Sequence, residues 1–396
     1  MKSPFSSRSP SFSLKNITDT IQRALASAGL DTTSGPMASV TETIRQALSS
    51  SGTPNPMRAS TAHDSTIDIT ARVVDIFHDQ NGELHHQPVI IETETPGTFQ
   101  SIEFSNSFGR RAYKLYVPIH VDETPPMVVM LHGCTQSADD FAAGTQMNRL
   151  AEKHGFLVVY PEQAANANMS KCWNWFKAQD QMRDAGEPAL IAGIVREVAA
   201  RHNVDARRVF VAGLSAGAAM AVVVGQTYPE LFSGVGAHSG LPYASAHDIP
   251  SAMVAMKGGR SGVAGSGVPS PVSAPRGGAG QAVPTIVFHG DRDHTVQHSN
   301  GLRIADQAND AFTEERKGVR LQSSTQRAVS PGGRSYSRTV HTDANGTSRV
   351  ESWTLHGAGH AWSGGHASGS YTDSGGPDAS AEMIRFFFAI PRAGSA

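Results

Sequence analysis

One stretch limits what this chain can become: Val209-Phe210-Val211-Ala212, then Gly213-Leu214-Ser215-Ala216-Gly217, then the alanine-rich start Ala218-Ala219-Met220. A short β-branched and aromatic run predicts a buried strand and the small residues after it predict a helix, so Gly-x-Ser-x-Gly sits on a strand-to-helix turn. That corner lifts a serine hydroxyl above the sheet. The glycines remove side chains that would collide in so tight a turn, and the first helical turn offers unpaired N–H groups to a developing oxyanion. The bare pattern is weak, because serine and glycine are common. The flanking strand and helix give it weight.

A serine on such a turn needs a sheet around it, and the chain supplies the strands. Met127 to Leu131, Phe156 to Pro161 and Pro284 to Phe288 are continuous apolar runs, which predict strands covered on both faces. Ala112 to Pro118 alternates like a half-exposed strand, and Ile67 to Ile76, Thr98 to Phe104 and Val350 to Leu355 also read as extended. Helices are predicted over Met147 to His154, Ile191 to Arg201 and Ser380 to Phe388. The expected fold class is α/β, a mostly parallel, doubly wound sheet with helices on both faces.

Residues 1–66 read as a Ser/Thr/Pro-rich N-terminal extension before a catalytic domain over 67–396. The extension holds a repeat: Ile17-Thr18-Asp19-Thr20-Ile21-Gln22-Arg23-Ala24-Leu25 returns as Val40-Thr41-Glu42-Thr43-Ile44-Arg45-Gln46-Ala47-Leu48. Asn16 and Ser39 are N-cap residues, and Gly29 and Gly52 are stop signals, so two short amphipathic helices are expected. Residues 258–282, rich in Gly, Ser, Pro and Ala, predict a flexible insertion.

The totals exclude several classes. Lys+Arg 33 against Asp+Glu 35 leaves a net charge of −2, without the basic stripe that nucleic acid binding requires. No apolar run reaches the roughly 18 residues of a membrane span. The Ser/Pro-rich start lacks the apolar segment of a signal peptide, which predicts a cytoplasmic protein, with secretion as the alternative. The 2 cysteines are too few for a disulfide scaffold and are not spaced as a metal site.

A serine nucleophile needs a base within reach, and the base needs a carboxylate to hold its tautomer. In a doubly wound sheet these groups belong just past the C-terminal strand ends. Ser215, Asp293 and His360 all fall there, in the order Ser, Asp, His. Among 17 histidines, His360 is selected because the nearly side-chain-free Gly357-Ala358-Gly359 leads to it from a strand. His356 and His366 read as loop histidines, and His238 and His289 as structural supports. For the acid, His289-Gly290-Asp291-Arg292-Asp293-His294-Thr295-Val296 favours Asp293 by motif position and leaves Asp291 as competitor. The oxyanion hole is expected from the amides of Ala216 and Cys134, the latter in the strand-end turn Leu131-His132-Gly133-Cys134.

Taken together, Leu131-His132-Gly133-Cys134, Val158-Val159-Tyr160-Pro161-Glu162-Gln163, Cys172-Trp173-Asn174-Trp175-Phe176, Gly213-Leu214-Ser215-Ala216-Gly217, His289-Gly290-Asp291-Arg292-Asp293 and Gly357-Ala358-Gly359-His360-Ala361-Trp362-Ser363-Gly364-Gly365 resemble the poly(3-hydroxybutyrate) depolymerase family of esterases. The resemblance covers roughly residues 100–390. It implies an α/β-hydrolase fold, a Ser215–Asp293–His360 triad and esters as substrates, with acetyl and feruloyl esterases among the relatives. No metal or organic cofactor is implied. Cys134 and Cys172 stand beside two of these motifs: an oxidising compartment would allow a disulfide between them, and the cytosol would keep them as thiols. Trp173, Trp175 and Trp362 are candidates for lining an apolar ester pocket, against the ordinary role of tryptophan in a core.

The expected activity is therefore serine-esterase hydrolysis of poly(3-hydroxybutyrate), its oligomers or short esters through an acyl-enzyme. The N-terminal helices are a candidate contact to a hydrophobic granule surface. The alternatives are an acetylxylan or feruloyl carboxylesterase with the same triad, and a non-catalytic granule-binding protein that keeps the fold as a scaffold.

Overall fold

Runs of β-branched residues without a charge among them take the centre of a ten-stranded sheet. The computed structural model describes residues 76–78, 84–86, 97–259 and 281–391. The chain divides into two units, Met1–Ile91 and Glu92–Ala396. In the first, β1 (Ile76–His78) pairs antiparallel with β2 (Leu84–His86). The expected N-terminal helices, the 66/67 boundary and nearly all of the expected 258–282 insertion lie outside the described residues.

The second unit opens with β3 (Thr98–Asn106) and β4 (Gly109–Val117), an antiparallel pair. There follow β5 (Met127–Leu131), α1 (Ala138–Thr145), α2 (Met147–His154), β6 (Leu157–Pro161), α3 (Gly186–Arg201), β7 (Val209–Leu214), α4 (Ala216–Thr227), β8 (Gly234–His238), α5 (Ile249–Met256), β9 (Thr285–Gly290) and α6 (Ser299–Glu315). The chain then forms β10 (Gln322–Val329), β11 (Ser335–Thr342), β12 (Ser348–Leu355), the short parallel pair β13 (Trp362–Ser363) and β14 (Thr372–Asp373), and α7 (Ala379–Phe388). The sheet order is β10-β11-β12-β9-β8-β7-β5-β6-β4-β3, parallel from β12 through β6 and antiparallel at both edges. This is the α/β-hydrolase arrangement that the strand-and-helix alternation predicts.

Alternation along β5 shows how the sheet is covered. Met127, Val129 and Leu131 join a core with residues of α3, α4 and α6, whereas Val128 and Met130 join one with α1, α2 and α7. Successive side chains of a strand point to opposite faces, so the two cores are the two faces of the sheet. Phe210 of β7 stacks on Phe387 of α7 at 4.8 Å between ring centroids and holds that last helix against the sheet.

The strand pair at one edge of the sheet, β10 and β11, escapes the sequence reading. β10 (Gln-Ser-Ser-Thr-Gln-Arg-Ala-Val) is exposed throughout, and β11 is half-exposed. Neither carries an apolar periodicity, since an edge hairpin needs only its ladder and a turn. That turn is at Pro331-Gly332-Gly333, where Gly333 N–H donates to Ser330 O at 2.9 Å. On the strand beside the hairpin, buried Glu351 of β12 accepts from Arg338 at 3.0 and 3.1 Å and from Arg385 of α7 at 2.6 Å. Those bonds hold Glu351 ionised despite its burial.

Candidate active site

At the C-terminal end of β7 the backbone turns through Ser215 at φ 58°, ψ −119°. A β-branched or bulky residue there would be a marked outlier, and the strain is held by the surroundings. Ser215 N–H donates to the carbonyl of His238 at 2.9 Å. Gly217, in the first turn of α4, lies so close to the neighbouring strand end that a Cβ would stand 2.0 Å from Leu131 O and 2.5 Å from His132 O. Only glycine lets α4 begin there. Although serine is a favoured N-cap, the Ser215 side chain makes no capping bond to α4. Among the described residues, the N–H groups of Ala216 and Gly217 at the start of the helix have no hydrogen-bond partner.

The same absence of a side chain joins two other strand ends. A Cβ on Gly290, the last residue of β9, would stand 2.3 Å from Ala358 O, and Arg292 N–H donates to Ala358 O at 3.0 Å. The loop after β9 therefore lies directly on the loop after β12, which brings Asp293 to His360. His360 Nδ1 donates to Asp293 Oδ2 at 2.7 Å. Asp293 Oδ1 accepts from the amides of Thr295 and Val296, each at 2.9 Å. His289 Nε2 donates to Val296 O at 2.8 Å and stands 3.4 Å from Asp293 Oδ2, too long to rival His360. Burial pushes the Asp293 carboxyl up, but the hydrogen bonds from His360, Thr295 and Val296, with the His289 ring close by, outweigh it and hold the group well below the usual carboxylate range.

Asp291, the competing acid, is engaged elsewhere. It accepts from His356 Nδ1 at 2.9 Å and from Gly357 N–H at 2.7 Å, and so braces the loop that leads to His360. His366 is exposed and bonds the nearby Ser368 at 2.8 Å.

On the other side of Ser215, β5 pairs Leu131 with Gly213, which sets the turn His132 to Cys134 beside the start of α4. Among the described residues, neither the Cys134 amide nor the Ala216 amide has a hydrogen-bond partner. Two donors free at adjoining positions are what an oxyanion site requires. The turn is fixed from below by His132, whose Nε2 accepts from Gln163 N–H at 3.0 Å while Nδ1 donates to Gly133 O at 2.7 Å. Burial depresses the His132 pKa and keeps the ring neutral.

Cys134 is bonded to Cys172, with Cα atoms 4.2 Å apart, and Thr135 N–H donates to Ser170 O at 2.7 Å. The 170–175 loop rests in turn on buried Glu187 of α3. That carboxylate accepts from Asn174 N–H and Nδ2, both at 2.7 Å, and from Gln163 at 2.5 Å, with Arg111 3.6 Å away. Sequence reasoning missed this support. Arg111 and Glu187 lie far apart in the chain, and no local motif marks either as buried.

The tryptophans proved to be core residues. Trp173 and Trp362 are 0% and 1% exposed, and Trp175 is 6% exposed. Trp362 packs on His238 at 5.2 Å and on Phe141 at 5.4 Å, and its Nε1 donates to Ser380 Oγ at 3.0 Å. Trp173 lies against His132. With so little surface left, Trp173 and Trp362 stiffen the loops beneath the site and do not form a pocket wall. Among the described residues no cluster of three or more His, Cys, Asp or Glu side chains could hold a metal ion.

Residues 111–331 match the family model described as esterase PHB depolymerase. The chain belongs to that family of esterases. Among curated relatives, poly(3-hydroxyalkanoate) depolymerase C of Paucimonas lemoignei is 34% identical over 289 residues, covering 69% of this chain and 64% of that protein. Feruloyl esterase B of Neurospora crassa is 37% identical over 141 residues, 35% of this chain and 47% of that protein. The chain thus spans between about half and just under two thirds of the length of these relatives. An acetyl xylan esterase from Aspergillus awamori shares the fold, with a TM-score of 0.57 at 20% identity over 74% of this chain and 100% of that one. The esterase-family match ends short of β11 and β12, so His360 lies beyond it while Ser215 and Asp293 fall inside.

Proposed function

We propose that this member of the esterase family is a serine esterase that hydrolyses poly(3-hydroxybutyrate), its oligomers or short hydroxyacid esters through an acyl-enzyme. The observation that carries the reading is the 2.7 Å hydrogen bond between His360 and Asp293, on loops that leave the same end of the parallel sheet as the Ser215 turn. In this reading Ser215 Oγ attacks the ester carbonyl while His360 Nε2 takes its proton, and Asp293 keeps the Nδ1–H tautomer and stabilises the imidazolium. The Cys134 and Ala216 amides receive the oxyanion. His360 next protonates the departing alkoxide, and water attacks the acyl-Ser215 by the same route in reverse. Among the described residues Ser215 Oγ has no hydrogen bond to His360, so the reading includes closure of that contact on substrate binding.

The substrate class rests on the depolymerase relative that aligns with over two thirds of the chain. Residues 1–66 fall outside the family match, and their repeated amphipathic pattern suits a hydrophobic polymer surface. The Cys134–Cys172 bond supports the secreted alternative for location, since such bonds persist in oxidising compartments. No helix among the described residues is long and apolar enough to cross a membrane.

The test is product release from amorphous poly(3-hydroxybutyrate) granules, 3-hydroxybutyrate oligomers, acetylated xylan and a feruloyl ester, by wild type, Ser215→Ala and a variant lacking residues 1–66. The reading expects hydrolysis of granules or oligomers by wild type, none by Ser215→Ala, and loss of granule activity alone on truncation. Activity confined to the polysaccharide esters would transfer the assignment to the acetylxylan or feruloyl class.

A further inference from the structure

His238 touches both halves of the proposed machinery. Its backbone carbonyl, at the end of β8, accepts the Ser215 N–H at 2.9 Å. Its ring Nε2 accepts the backbone N–H of Ser363 at 3.0 Å, on the segment that begins at His360. The ring lies between Phe288 of β9 at 5.8 Å and Trp362 at 5.2 Å, and Nδ1 faces Ser239 Oγ at 3.3 Å. No part of the residue is exposed.

We propose that His238 is a positioning residue for the esterase reaction: its neutral imidazole, as acceptor for Ser363 N–H, fixes the segment bearing His360 relative to Ser215. This role rests on the serine-esterase function proposed above and adds to it. An acceptor at Nε2 requires the proton on Nδ1, and a protonated ring would present an N–H to the Ser363 N–H and break the tie. The environment prevents this. Burial, with His289 and His360 nearby, pushes the His238 pKa down to about 3, so the acceptor persists through neutral pH. Ser363 is itself held by β13 pairing with β14 and by its hydroxyl on Pro377 O at 2.8 Å. Its N–H is therefore aimed, and an unpaired amide buried there would be costly.

Because the Ser215 contact uses the backbone of His238, side-chain variants isolate the Ser363 contact. His238→Phe keeps an aromatic ring between Phe288 and Trp362 but has no acceptor. His238→Gln carries an amide oxygen that reaches the Nε2 position, and His238→Asn reaches only the Nδ1 position. The readouts are kcat and KM on a short p-nitrophenyl ester and, in a Ser215→Ala background, the far-downfield proton resonance of the His360–Asp293 hydrogen bond. His238→Phe is expected to lower kcat about 10- to 100-fold with KM little changed, as a displacement of about 1 Å at a reacting group does. The resonance should shift or broaden in that variant, and His238→Gln should restore both. Should His238→Phe fail to fold, His238→Asn against His238→Gln makes the same comparison. Equal kcat in acceptor-bearing and acceptor-free variants, with the resonance unmoved, overturns the proposal. If Ser215→Ala alone retains activity the catalytic reading falls, while the resonance still decides how His360 is held.

Discussion

His360 Nδ1 and Asp293 Oδ2 stand 2.7 Å apart, while Asp291, two residues earlier, gives both oxygens to His356 and Gly357. Neighbouring carboxylates thus have separate partners. Asp293→Asn should lower kcat by about 10⁴-fold through loss of the correct tautomer, and Asp291→Asn should leave kcat close to wild type. Steady-state kinetics on a soluble ester decides it; equal losses in the two variants would contradict the division.

The approach of α4 to β5 predicts a sharp contrast between two glycines. Gly217→Ala would set a methyl 2.0 Å from the Leu131 carbonyl, a backbone atom that cannot yield, and should abolish soluble folded protein. Gly359→Ala, whose Cβ meets nothing within 4 Å, should change stability by no more than about 0.5 kcal/mol. Soluble yield and thermal melting would expose a tolerant Gly217.

The Cys134–Cys172 bond carries two expectations. Closing a loop across 38 residues should add about 2–4 kcal/mol of stability in the chain-entropy account. Freeing the turn that holds the Cys134 amide should also lower kcat about 100-fold, the scale of losing one oxyanion donor. The chain has 2 cysteines in all, so a phosphine reductant acts on this bond alone. Chemical denaturation and initial rates, with and without reductant, separate the two effects; rates unchanged after verified reduction would remove the loop from catalysis.

Acid should destabilise the fold early. His238 is neutral when folded, with its pKa lowered from 6.5 to about 3, so below about pH 6.5 the unfolded state binds a proton that the folded state refuses. Stability therefore rises with pH across that window and falls as pH drops through it, by about 1.4 kcal/mol per pH unit for one such group. His132, also depressed by burial, acts in the same direction. Melting between pH 4 and 7 should show the slope, and His238→Gln should show a shallower one.

Much of the candidate site was legible in the residues because it is local. The elbow at Ser215 follows from a buried strand, two glycines and an alanine-rich helix in one contiguous stretch. The central strands follow from apolar runs without charge. The chain order of Ser215, Asp293 and His360, each just past a strand end, reflects where a parallel sheet delivers its loops. What escaped lacks either a period or proximity: β10 and β11 bury too little to leave an apolar pattern, and the Arg111–Glu187 pair is assembled from distant segments.

The sequence by itself determined the parallel sheet and the strand-end positions of Ser215, Asp293 and His360, since hydrophobic periodicity and turn chemistry act over a few residues. Only the tertiary structure decided that Asp293 and not Asp291 faces His360, that Cys134 meets Cys172, and that Trp173 and Trp362 are buried beneath the site. Those outcomes depend on how separate loops pack: Gly290 lies against Ala358, the 132–135 turn against the 170–175 loop, and Trp362 against His238. Such contacts are set by the three-dimensional fit of surfaces from different strands, and no local pattern encodes them.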